Sequence, residues 1–479
     1  MHSFSKTAVR LLGITILIIV TLESGRTQPL SLHAQNPHYF LFRGKPAILI
    51  GSTEHYGAVM NLDFDYIIYL NEIAASGLNV TRTFSGVYVE PSGAFGIQKN
   101  TLAPAPERYI CPWARSSESG YANGGKKFDL SRWDEAYFLR LKDFVAKAGE
   151  RNIIVELDLF SNFYDTVQWK LSPLNARNNI NGIGNIKDQK EILSLRHPEI
   201  VGIQEEMVRK IINEMKDFDN LYYEICNEPY FGDTLALREW EKFMTGIVKD
   251  AEKDFKQKHL VSNNIANNYR KVTVPRKGVS IYNFHYARPP ETVAANYHLN
   301  NVIGDNETGF DGINDAPYRK EAWDFIMAGG ALFNNLDYSF TSDNEDGSFI
   351  IKKGQPGGGG RTLRSQFKIL AEFMKGIDFI NMRPVNDEMV RLTKPENMSV
   401  HALAREDSII AAYIHRNDTI SIMPVIEINL RSGNYTLTFT DPMSGDKTVT
   451  KLKDHPGGWM RISAPENSNE LALLIEKIK

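Results

Sequence analysis

Cysteine is nearly absent: 479 residues contain only Cys111 and Cys226. Two thiols this far apart make no disulfide framework and no CxxC metal pair. Charge of one sign is lacking too. Lys plus Arg number 55 against 58 Asp plus Glu, a net charge of −3. That leaves no electrostatic footprint for nucleic acid. Apolar runs of membrane-spanning length are missing; the longest, Leu11–Leu22, is too short to cross about 30 Å of hydrocarbon as a helix. No G-x-G-x-x-G follows an early strand, and no G-x-S-x-G elbow occurs anywhere. The four glycines at 357–360 lack the Lys-Ser/Thr of a phosphate loop, so they read as a flexible loop. With 42% apolar and 24% charged residues, the chain is an ordinary globular one.

The N-terminus carries a targeting pattern. Lys6 and Arg10 precede the apolar run, and Glu23, Ser24 and Gly25 restore polarity after it. Residues 1–25 are expected to be a secretory signal, which predicts a secreted or periplasmic protein with no membrane attachment after cleavage. Asn79-Val-Thr81 and Asn306-Glu-Thr308 fit the glycosylation triplet but fall on expected interior strands, so they read as chance matches.

From about residue 36, short β-branched runs alternate with amphipathic stretches. Strands are expected at Ala47–Ile50, in LNVTRTF ending near Arg82, and in RNIIVELDLF, NLYYEICNEP, HLVSNN, GVSIYNFHY, NVIGDNETG and ALFNNLDYSF. Helices lie between them: Asp63 is a plausible cap for the first, and Ser131 with Asp134 form a near capping box for the second. Eight strand–helix alternations predict a closed (β/α)8 TIM barrel over 36–384, an α/β fold. Residues 85–130 form a long insertion without clear periodicity, expected to roof the mouth. From 385 to 479 strands dominate, which predicts a small all-β sandwich domain.

In such a barrel the reacting groups sit at the carboxyl ends of the strands. Glu228 ends strand four and Glu307 ends strand seven, across one mouth. Two facing carboxyls can hydrolyse an acetal, one protonating the leaving oxygen and the other attacking the sugar carbon. Arg82, His285, Asp337, Tyr338, Glu54 and His55 cluster at the same expected face. Arg82 could orient Glu307, or serve as a salt bridge inside the barrel; His285 could equally be a satisfied interior histidine. Glu54-His55 has no third ligand of suitable spacing, so no metal is expected. Trp113 is the preferred stacking group of the insertion, alongside Tyr88, Phe95, Tyr109 and Tyr121, and ordinary loop packing would account for it equally well. The acidic loop Asp343–Asp346 and the glycines after it are expected to form a second, mobile wall.

Asn227-Glu228-Pro229 and Glu307-Thr308-Gly309, with Arg82 on strand two, resemble the clan A glycoside hydrolases, near the cellulase-like enzymes of family 5. The resemblance covers 36–384. It implies a retaining hydrolase without cofactors, acting on a carbohydrate partner. Glu228 would be the acid/base and Glu307 the nucleophile. Asn227 would bind the sugar 2-hydroxyl, Arg82 would steady the nucleophile, and His285 would line the central subsite. The β-domain resembles the small sandwiches appended to such barrels. There are departures. The His-x-Tyr of strand six is His285-Tyr286-Ala287 here, so the tyrosine that touches the nucleophile is displaced or replaced. The strand-three histidine is missing, with Phe160-Ser161-Asn162 in its place, and no strand-eight Trp platform is evident. A polar wall suggests contacts to sugar hydroxyls. Two other readings remain open: a catalytically silent carbohydrate-binding barrel protein, and a metal-dependent barrel hydrolase.

Overall fold

The computed structural model describes residues 28–229, 234–393, 397–406, 408–417, 425–465 and 469–478. The secretory signal expected at 1–25 lies outside these residues. Among them, no helix is long and apolar enough to cross a membrane.

Eight parallel strands form one sheet: β1 (Leu49–Thr53), β2 (Val80–Phe84), β3 (Ile154–Asp158), β4 (Leu221–Glu224), β5 (Val261–Asn264), β6 (Ile281–His285), β7 (Val302–Thr308) and β8 (Leu332–Leu336). Their order is β1-β8-β7-β6-β5-β4-β3-β2, so each strand lies beside its sequence neighbours and β1 and β2 are the two ends. Asn79 closes that seam. Its backbone N–H donates to Ile50, while its side chain accepts from the Ile50 N–H and donates to the Ile48 carbonyl. The glycosylation triplet at Asn79 is therefore part of the barrel seam. The triplet at Asn306 is also interior, since Asn306 is fully buried.

The helices follow the strands. They include α1 (Tyr66–Ala75), α2 (Glu135–Glu150), α3 (Thr166–Leu171), α4 (Pro198–Met215), α5 (Thr234–Ala251), α6 (Glu291–Asn296), α7 (Asp315–Met327) and α8 (Arg361–Lys375). The cap of α1 is Asp65, not Asp63: its carboxylate accepts from the N–H groups of Ile67 and Ile68. Asp134 caps α2 alone, accepting from Ala136 and Tyr137, while Ser131 bonds Asp129 instead.

The insertion is more ordered than its sequence suggests. Trp113–Ser119 and Lys126–Trp133 pair as an antiparallel hairpin. At the far end of the barrel, Ser31–Leu32, Phe40–Phe42 and Lys45–Ala47 make a small sheet that leads directly into β1.

Beyond α8 the chain is antiparallel throughout. A six-stranded sheet contains Arg383–Pro384, Met398–Arg405, Ile409–Arg416, Glu470–Lys477, Gly433–Thr440 and Lys447–His455 in that order. A three-stranded sheet of Val390–Leu392, Ile426–Leu430 and Gly458–Ile462 faces it across a shared apolar core. This unit rests on α7. Tyr413 stacks on Trp323 at 5.2 Å, Arg319 pairs in bidentate fashion with buried Glu470, and His415 Nε2 lies 2.7 Å from Asp324. Both cysteines are free and buried.

Candidate active site

The carboxyl ends of the strands converge on a cleft of about 170 Å³, lined by both glutamates of the expected pair. The chain bends sharply where it delivers these groups. Tyr56 (φ 59°), Glu228 (φ 47°) and Tyr286 (φ 55°) are all left-handed, and each lies just past a strand end. Side chains other than glycine avoid that region, so surrounding contacts must hold the three in place. A register shift at β7 does the same for Glu307. Phe284 pairs with Asp305 but His285 pairs with Glu307, so Asn306 is the extra residue.

Arg82 organises the floor. It is fully buried, and its guanidinium donates to Asp158 in bidentate fashion, to Glu224 at 2.7 Å, to Asn227 Oδ1 at 2.8 Å and to Glu307 at 3.0 Å. Tyr56 also donates to Glu307 Oε2 at 3.0 Å, and Tyr286 to Oε1 at 2.8 Å. Glu307 therefore accepts on both oxygens. The displaced tyrosine of the sequence pattern reaches the carboxylate after all, because the left-handed turn at Tyr286 swings it back.

Glu228 has different company. His285 Nδ1 lies 2.8 Å from its Oε1, and Asn267 donates to the same oxygen at 2.9 Å; Tyr164 donates to Oε2. The ring of His285 also lies 3.5 Å from Glu307, so it sits between the two acids. Burial depresses its basicity, but the charges of Glu307 and Glu228 outweigh this and raise its pKa. One oxygen of Glu228, one of Glu307 and a nitrogen of His285 all lie within 4.8 Å of one another.

Beneath this layer Glu156, Asp158 and Glu224 form a second acidic group. Burial and the Glu224 charge push Glu156 up to about 8. Either three-ligand group could in principle hold a metal ion. In the lower one the Arg82 guanidinium already stands where a cation would, touching all three acids. In the upper one the nitrogen of His285 is engaged by Glu228, and Glu307 is engaged by Arg82.

The other expected site residues divide. His55 lines the cleft, and burial followed by the Arg82 charge pushes its pKa down to about 3, a neutral ring. Glu54 does not reach the cleft. Its carboxylate accepts from the N–H groups of Gly57 and Ala58 and from Thr101, fixing the turn that presents Tyr56. Asp337 is also structural, since Ser52, Ser339, Arg364 and the Gly360 N–H saturate it. Tyr338 packs behind the rim, edge-on to His55 and Phe310. Trp113 is 1% exposed and stacks on Trp133 within the hairpin, away from the cleft. Tyr109 and Tyr121 pack there with Phe128, so of the five insertion aromatics only Tyr88 and Phe95 line the cleft.

The glycines at 357–360 are packed rather than free. A side chain at Gly359 would sit 2.0 Å from the Asp337 carboxylate, and Tyr338 donates its N–H to Gly358. The acidic loop is likewise tied down, with Glu345 accepting from the Asp65 N–H.

Four polar groups at the cleft escaped the sequence reading: Tyr56, Tyr164, Asn267 and Glu90. The first three follow β1, β3 and β5 within a few residues, so extending the scan past each strand end would have found them. Glu90 lies in the aperiodic insertion, where no signal marks it. Its carboxyl accepts from Tyr88 at 2.9 Å and from Asn100, and burial pushes it up to about 7.

No family model matches this sequence, and no curated protein matches it. Solved structures do share its fold. A glycoside hydrolase family 5 protein from Bacteroides vulgatus ATCC 8482 superposes with a TM-score of 0.62 at 13% identity, covering 94% of each chain. A putative glycoside hydrolase from the same organism gives 0.62 at 12% identity, covering 94% of this chain and 83% of the other. A mutant family 5 mannosidase from Rhizomucor miehei, in complex with mannosyl-fructose, gives 0.50 at 12% identity, covering 73% and 98%. The first two span the barrel and the β-sandwich together, so the whole two-part architecture is a shared one.

Proposed function

We propose that this chain is a retaining glycoside hydrolase that cleaves O-glycosidic bonds of an oligo- or polysaccharide by two-glutamate double displacement. One observation carries the reading. The facing oxygens of Glu228 and Glu307 lie no more than 4.8 Å apart, near the separation of about 5–5.5 Å used for direct attack. Inversion needs roughly 6.5–9.5 Å, to fit a water molecule. The surroundings support a division of labour. Glu307, oriented by Arg82, Tyr56 and Tyr286, attacks the anomeric carbon. Glu228, held by His285, Asn267 and Tyr164, protonates the departing oxygen and then takes a proton from the water that releases the sugar. Asn227, fixed by Arg82 and by its contact with Tyr164, is placed to meet the 2-hydroxyl. The fold shared with family 5 structures agrees with this assignment.

The test uses activated aryl glycosides. Glu228→Gln should lower turnover by about 10²–10⁴-fold. Glu307→Ala should be inert, and added azide should restore turnover as a glycosyl azide of inverted configuration. Chelator should leave the wild-type rate unchanged. Full activity in Glu307→Ala, or loss of activity on chelation, would remove the proposal.

A further inference from the structure

A third carboxyl group lines the cleft, and the mechanism above does not use it. Glu90 is 3% exposed, and its side chain is fixed by Tyr88 and Asn100, while its backbone N–H donates to Leu102. A carboxylate has about four acceptor positions, so two remain for a ligand. His55 Nε2 lies 3.8 Å from Glu90 Oε1, a separation at which one hydroxyl can accept from the ring and donate to the carboxylate. The segment bearing Glu90 is stapled across one side of the mouth. Thr101 donates to Glu54 just past the end of β1, Asn61 donates to the Thr101 carbonyl, and the Gln98 N–H donates to Gln355 in the loop beyond β8.

The cleft is therefore walled by the insertion at one side, and its about 170 Å³ is well below the roughly 300–1,000 Å³ of a drug-sized ligand site. Its described lining has three carboxyl groups, Glu90, Glu228 and Glu307, and no Lys or Arg. An acidic sugar would meet three acids, and the nearest guanidinium, Arg82, lies beneath the lining and is already committed to Glu307 and the acids below it. Phe95 and Phe310, 45% and 40% exposed, stand at the rim, where the rest of a substrate would leave the cleft.

We propose that Glu90 is a specificity-determining residue that, with His55, grips a hydroxyl of a terminal uncharged sugar, so that the chain is cut from its end. This rests on the hydrolase reading above. The raised pKa of Glu90 fits a site that holds a neutral ring.

The experiment measures the full-length protein on 4-nitrophenyl β-glycosides of glucose, mannose, galactose and glucuronic acid, and on cellotetraose and mannotetraose labelled at the reducing end. Expected is turnover of a neutral aryl glycoside, none of the glucuronide, and a tetraose ladder that shortens one unit at a time. Glu90→Gln and Glu90→Ala should each lower kcat/KM by at least about tenfold, with the loss falling on KM rather than kcat. A folded variant with unchanged kcat/KM overturns the role of Glu90. Internal cuts in the tetraoses, with inert aryl glycosides, overturn the chain-end assignment. Both of those results leave the hydrolase reading standing. No turnover on any substrate, together with no labelling of Glu307 by a 2-deoxy-2-fluoro glycoside, ends both.

Discussion

Tyr286 shows how one backbone angle changes what a motif means. Its spacing after His285 differs by one residue from the resembled pattern, which in sequence suggests a lost contact with the nucleophile. The left-handed φ restores that contact, with the hydroxyl 2.8 Å from Glu307. Tyr286→Phe keeps the ring and removes only the donor. It should cost about 1.5–3 kcal/mol in the transition state, roughly 10–100-fold in kcat/KM, with an unchanged melting curve. A wild-type rate would show that Tyr56 and Arg82 suffice. At this scale the two glutamates, Arg82, Asn227, His285 and His55 were legible because strand ends are visible in sequence. Glu54 and Asp337 were misjudged for the same reason. A carboxylate past a strand end serves a turn or an ion pair as readily as a substrate, and only the partners tell which.

At the scale of elements, the insertion and the strand interiors carry the lessons. The alternation of strands and helices reveals the barrel because its period is regular. The insertion hairpin is held by Trp113, Trp133, Tyr109, Tyr121 and Phe128, whose packing leaves no period in the sequence. Trp113→Ala should therefore destabilise the protein by about 3–5 kcal/mol and leave KM unchanged. Calorimetry with steady-state kinetics separates this from a stacking role. Inside the barrel, Glu156 on β3 and Glu224 on β4 share the donors Asn283 and Asn306, on β6 and β7. The folded state raises Glu156 to about 8, and Glu54 and Glu90 to about 7, from an ordinary 4.5. Between those values these three groups hold more protons in the folded chain than in the unfolded one, so their contribution to stability should fall as pH rises from about 4.5 to about 8. Glu156→Gln, which is neutral throughout, should flatten the decline in Tm; a slope equal to wild type would count against the buried proton.

The whole molecule is a barrel with its β-sandwich fastened chiefly to one helix, α7, and also held by the Arg405–Asp378 pair beyond α8. Arg319 and Glu470 are both buried, and Tyr413 also donates to Glu470. Removing one member of such a pair leaves a buried charge unanswered, so Glu470→Ala should lose about 3–5 kcal/mol. Thermal unfolding would register this in the barrel as well as the sandwich, because the contact is shared. The fastening was invisible in sequence. Charged residues on an amphipathic helix are normally solvated, and nothing in the α7 pattern distinguishes Arg319 from Lys320.

The three left-handed turns at the rim have an evolutionary corollary. A non-glycine residue held there costs roughly 1–2 kcal/mol. Glycine at 228 would relieve that burden but would strip His285, Asn267 and Tyr164 of their shared partner, at about 1–3 kcal/mol for each buried group left unpaired. The contacts that position the acid are thus the same ones that lock in the strained turn, so heat resistance is not to be gained there by giving up the acid.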